Sequence, residues 1–186
     1  MMVDDPDLVN EVHRWIAEVY TALIQHYSTL ADLPVTSVHV GECSGTMLSP
    51  DQFSEFVVPH ASQLGAKVGA LRWHSCGSST HLIEPLRDCE NLKIIDTGSS
   101  TRVGDIRDEF GPEFEINVAP PVEVLMERAD PHDIDPWLDE VLEGNADGPL
   151  KFVFHMEPGY SLDTILRLND LLDHRGIISR DRLRKS

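Results

Sequence analysis

The sequence predicts an α/β protein in which about five short parallel strands alternate with helices. Three observations carry this. Short runs rich in Val, Leu and Ile recur between helical segments, and regular alternation of this kind implies a parallel sheet whose crossovers are the helices. Capping residues, glycines and prolines bracket the intervening segments at the places where helices start and stop. No Gly-rich GxGxxG turn follows the first strand, which disfavours a dinucleotide-binding member of the class.

The elements follow in order. Leu8, Val12, Ile16, Val19, Leu23 and Tyr27 recur at spacings of three and four, so the opening segment reads as a long amphipathic helix. Leu33-Pro34 ends it, and residues 35–41 read as the first strand. Ser49 can cap the next helix, Pro50 suits its first position, and Gln52 completes a capping box. That helix carries Phe53, Phe56 and Val57 and is expected to stop before Pro59. Residues 68–74 read as the second strand and 80–86 as a helix, with Pro85 an awkward residue inside it. Residues 92–95 form the third strand, followed by a helix over 103–110 that Gly111-Pro112 closes. The fourth strand is 114–118, and helices follow over 122–128 and 133–142. The fifth strand is 150–155, and the last main helix is 162–173, stopped at Gly176. Residues 1–178 are expected to form one domain and 179–186 a polar tail.

Composition excludes some functions. Asp and Glu number 32 against 15 Lys and Arg, for a formal net charge of -17. Nonspecific binding to nucleic acid or to an anionic membrane needs the opposite sign, so neither partner is expected. No apolar run is long enough to span a bilayer, and the acidic N-terminus does not look like a signal peptide. Three unevenly spaced cysteines, Cys43, Cys76 and Cys89, make no disulfide framework. A reducing cytoplasm is the default location, and thiols there are free to bind metal.

The stretch with most chemical content is Arg72-Trp73-His74-Ser75-Cys76-Gly77, at the C-terminal end of the second strand. Active sites of parallel α/β folds gather at that end. Residues i and i+2 of a strand point the same way, so the imidazole and the thiolate can reach one ion. A catalytic zinc site needs three protein ligands and an open position. The other strand ends offer Glu42 and Cys43, Asp96, and His155. A site of His74, Cys76 and His155, with Asp96 or water as the fourth ligand, is chemically coherent. Set against this, His-x-Cys recurs by chance and cysteine is often a small buried hydrophobe. Cys43 reads as a packing or substrate-pocket residue rather than a ligand, and Cys89 as inert. His13, His26 and His174 read as structural or surface residues on helices, and His81 as solvated.

Three segments in order resemble the uroporphyrinogen decarboxylase superfamily. They are residues 47–59, with Ser49-Pro50 and Pro59; His74-Ser75-Cys76-Gly77; and residues 157–165, with Glu157-Pro158 and Ile165. The His-x-Cys-Gly segment resembles the zinc motif of the family's corrinoid-linked methyltransferase branch. The resemblance runs over residues 6–176 and implies a partial TIM (β/α)8-like barrel, its C-terminal part. It implies zinc on His74 and Cys76, an acidic ligand near Asp96, and a late ligand at or beside His155, where the family has cysteine. Glu42, at an adjacent strand end, reads either as a substrate contact or as an exposed loop carboxylate. The implied activity is zinc-dependent methyl transfer to a small-molecule thiol from a methylcorrinoid or folate-type donor, with a corrinoid protein as a partner. Two other readings stand beside it: a non-catalytic or split subunit that completes a barrel with an N-terminal partner or with further copies of itself, and a metal-free decarboxylase-like protein. Five strands are too few for the usual eight-stranded closure, so two open edges and an open core are expected.

Overall fold

The computed structural model describes residue 2, residues 4–41 and residues 43–177. Glu42 and the expected polar tail lie outside the described residues. Five strands form one sheet in the order β1-β2-β3-β4-β5, and every pairing is parallel. They are β1 Val38–Gly41, β2 Leu71–Ser75, β3 Leu92–Thr97, β4 Glu115–Val118 and β5 Leu150–Phe152. Each strand neighbours the next in sequence, as in a partial (β/α) barrel. Among the described residues, no helix is long and apolar enough to cross a membrane.

The two faces of the sheet differ sharply. Val38, Leu71, Trp73, Ile95, Ile116 and Val118 point into the main core. They meet side chains from α2 Pro50–Phe56, α3 Val58–Val68, α4 Ile83–Arg87, α5 Val103–Phe110 and α7 Ile134–Asn145. Phe53 packs edge-on against Trp73, with ring centroids 6.1 Å apart. A smaller cluster of Leu125, Ile134, Leu138, Leu168 and Leu172 seats α6 Val122–Leu125 and α8 Leu162–His174. The opposite face carries one row in register: Gly41, His74, Asp96, Asn117 and Lys151. The apolar side of these five strands is covered by helices, and the opposite side carries the polar row, in which Asp96 and Asn117 are buried.

The predicted starts and stops are present. Ser49 and Gln52 make the reciprocal capping box of α2. Ser161 caps α8. Gly69, at a φ of +119°, turns the chain from α3 into β2 where a side chain would be strained. Several boundaries shift. α2 ends at Phe56, before Pro59 as expected, but Pro59 itself lies in the first turn of a further helix, α3, where its missing N–H has no intrahelical partner to lose. Pro85 is tolerated in the first turn of α4 for the same reason, after a 3-10 turn over Thr80–Leu82. β5 stops at Phe152 rather than 155, and the helix expected over 122–128 stops at Leu125.

The opening helix, α1 Pro6–Ala31, behaves unexpectedly. Its buried residues are Val9, Ala17 and Thr21, and it packs on α3. The apolar stripe read from the sequence, Leu8, Val12, Ile16, Val19, Leu23 and Tyr27, is exposed. The periodicity is that of a helix with an apolar face, but that face is not part of this core.

Candidate metal centre

Two adjacent strand ends bring three donors together. His74 lies on the open face of β2, and Cys76 follows the strand's last residue, so both reach the same side. His74 Nε2 is 3.0 Å from Cys76 Sγ. Cys43 opens a 3-10 turn over Cys43–Met47, just past β1, and its Sγ is 3.3 Å from that of Cys76. The three ligand atoms all lie within 4.8 Å of one another, and no other such group of three occurs among the described residues.

Asp96 stands behind the histidine. It is the register partner of His74 on β3 and is only 5% exposed. Its Oδ2 accepts a hydrogen bond from His74 Nδ1 at 3.1 Å and a second from Arg72 Nη2. An ionised carboxylate has no proton to give, so the ring proton sits on Nδ1. The lone pair of Nε2 is thereby aimed at the thiols, the arrangement that orients metal-binding histidines. The hydrogen bond with Cys43, followed by burial, holds the Cys76 thiol above its ordinary pKa. Burial, then the charge of Arg72, hold neighbouring His39 below its own.

The loops carrying the thiols are fixed by small residues. Thr101 Oγ1 accepts from Ser79 N at 2.8 Å and donates to Gly77 O at 3.3 Å, tying the turn after β2 to the loop after β3. Gly98 N donates to Ser75 O at 3.1 Å, and a Cβ on Gly98 would lie 2.3 Å from Cys76 O. Only glycine permits that approach. Beside the cluster, Arg72 Nε and Asn117 Oδ1 are buried without a hydrogen-bond partner.

The structure thus joins His74 and Cys76, sets Asp96 against the histidine's far nitrogen, and leaves His155 apart. His155 is exposed, three residues past the end of β5, and β5 is three strands from β2. At roughly 4.8 Å per strand that is about 14 Å across the sheet. Glu42 lies outside the described residues. Cys43 is exposed, and with His74 and Cys76 it makes a group of three that could hold a metal ion, a group that does not include His155. Its position directly after a strand was the available signal. Cys89 is buried, with its thiol pushed up by burial, and takes no part.

Comparison with known proteins gives two results. Residues 1–167 match the family described as uroporphyrinogen decarboxylase (URO-D). A solved structure of a methyltransferase from Methanosarcina mazei superposes with a TM-score of 0.62 at 19% sequence identity. The match covers 87% of this chain and 47% of that one, so the chain spans about half the length of this structural relative. Curated proteins gave no match.

Proposed function

The chain belongs to the uroporphyrinogen decarboxylase family, and from that premise we propose that it serves zinc-dependent methyl transfer to a small-molecule thiol. The donor would be a methylcorrinoid, carried by a corrinoid protein, or a folate-type molecule. One observation carries the reading: two thiols and an imidazole converge at the C-terminal ends of adjacent strands, where this fold class does its chemistry.

The donor set fits zinc. Tetrahedral Zn–S and Zn–N bonds of about 2.3 and 2.1 Å separate their donors by roughly 3.5–3.8 Å. The spacings of 3.0 and 3.3 Å would each open by about half an ångström, and all three donors already lie within 4.8 Å of one another. Cys43, His74 and Cys76 would hold the ion and leave one position open. Zinc bound there would lower the pKa of a substrate thiol, so that its thiolate exists at neutral pH. The protein's own groups do the rest. Asp96 keeps the ring proton on His74 Nδ1, and Arg72 holds Asp96 in place.

The test is zinc content of the purified chain and of Cys76→Ala, with methyl transfer from methylcobalamin to small thiols measured in parallel. One zinc per chain in the wild type and none in Cys76→Ala is the expected result. Equal zinc in both proteins overturns the assignment.

The exposed stripe of α1 favours an addition to this reading. That stripe and the outer edge of β1 adjoin each other, with Tyr20 Oη donating to His39 O at 3.0 Å. We propose that both are covered by βα units of an N-terminal barrel partner, which would also enclose the polar face. Sedimentation with and without such a partner checks this. Self-association or a compact, stable monomer counts against it.

A further inference from the structure

Cys43 and Cys76 are both exposed, and their sulfurs are already 3.3 Å apart. A disulfide requires about 2.0 Å between sulfurs, so an approach of little more than 1 Å completes one. Both cysteines lie outside regular strand and α-helix, on turns after β1 and β2, where a small adjustment disturbs no ladder hydrogen bond. Cys89, the third cysteine, is buried and hydrogen-bonded by Ser62, and has no part in the pair. No other two cysteines of the chain are placed to react.

We propose that Cys43 and Cys76 form a thiol–disulfide pair that low-molecular-weight disulfides oxidise, and that its oxidation closes the metal centre. The second half rests on the metal reading above; the first does not. The thiolate of one cysteine attacks the small disulfide, forms a mixed disulfide and expels one small thiolate. The second cysteine attacks the protein-side sulfur, forms the Cys43–Cys76 bond and expels the other. The protein gives up two electrons, and the small disulfide is reduced to two thiols that take the two protons. Two of the three proposed donors are then bonded to each other, and His74 alone cannot hold the ion. Bound metal would protect the pair, because each sulfur would already be engaged.

The experiment treats the reduced, metal-free full chain with oxidised glutathione and reads intact mass, thiol count in denaturant and peptide maps. Wild type is expected to lose two hydrogens, to fall from three thiols to one, and to yield a linked Cys43–Cys76 peptide. Cys43→Ser and Cys76→Ser, both at exposed positions, should each stop at a stable mixed disulfide. If wild type also stops at the mixed disulfide, the pair does not resolve and the proposal fails. The oxidised chain is then tested for zinc binding. Loss of binding that dithiothreitol restores supports the closing of the centre. If the linked peptide forms yet zinc binding is the same before and after, the thiol pair stands and the metal assignment fails.

Discussion

The sheet region holds two arginines, Arg107 and Arg72, and the two are used in opposite ways. At the N-terminal ends of β4 and β5, Arg107 is buried with every donor engaged. Nε and Nη2 hold Asn145 Oδ1 at 3.0 and 2.7 Å, Nη2 holds Pro149 O at 2.8 Å, and Nη1 reaches Gly111 O and Phe114 O. That network ties α5, α7 and two strand starts together and leaves nothing for a ligand. Arg72, early in β2, reaches Asp96 and shares it with His74, its own Nε has no partner, and the thiols beyond the strand ends face solvent. Polar groups that are saturated secure a fold, and polar groups left open are available for chemistry.

A crossed pair of variants breaks this comparison most directly. Arg107→Ala would strip a buried amide and several carbonyls of their partner, at roughly 3 kcal/mol of stability or more. The folded fraction should still bind zinc. Cys76→Ala should do the reverse: zinc binding is lost while unfolding in urea shifts by less than about 0.5 kcal/mol. Equal loss of stability in both variants would mean the upper cluster is structural.

The contrast between the arginines was not legible in the sequence, but the sheet and part of the upper cluster were, for reasons that can be named. The βα alternation gave five parallel strands because buried parallel strands are short apolar runs between helix signals. His-x-Cys placed two donors because strand geometry alone fixes their direction. His155 falls outside the group of three because β5 lies three strands from β2, while Cys43, just past β1, falls inside it. The role of Asp96 was invisible because it depends on register: only the pairing of His74 with Asp96 shows that the carboxylate meets the far nitrogen. The stripe of α1 was legible as an apolar face, but periodicity does not say what covers it.

Asp96→Asn sharpens the upper half of the comparison. An amide can leave the ring proton on either nitrogen and no longer attracts Arg72. Zinc affinity should fall about 10- to 100-fold, the usual cost of removing a carboxylate behind a metal-binding histidine. An unchanged affinity would separate Asp96 from the site. The pH profile adds an independent check. Metal binding displaces thiol protons, so affinity should fall as pH falls. Because the Cys76 thiol is held above its ordinary pKa, affinity should go on rising with pH beyond the range of an unperturbed cysteine.

The smallest expected effect is at His155, and it decides between two ligand sets. The family resemblance puts a late donor there, whereas the structure finds three donors on β1 and β2 without it. His155 is exposed beyond the last strand, about 14 Å from β2 by strand count, and nothing holds it toward the thiols. His155→Ala should therefore leave zinc affinity within about twofold of wild type, less than 0.5 kcal/mol. His155→Cys should not raise it. A tenfold loss in His155→Ala would mean that the end of β5 folds over the mouth when metal binds. Cys43 would then revert to a pocket residue, and Cys43→Ala, measured beside it, should bind zinc as wild type does. Opposite outcomes for these two substitutions identify the third ligand without reference to activity.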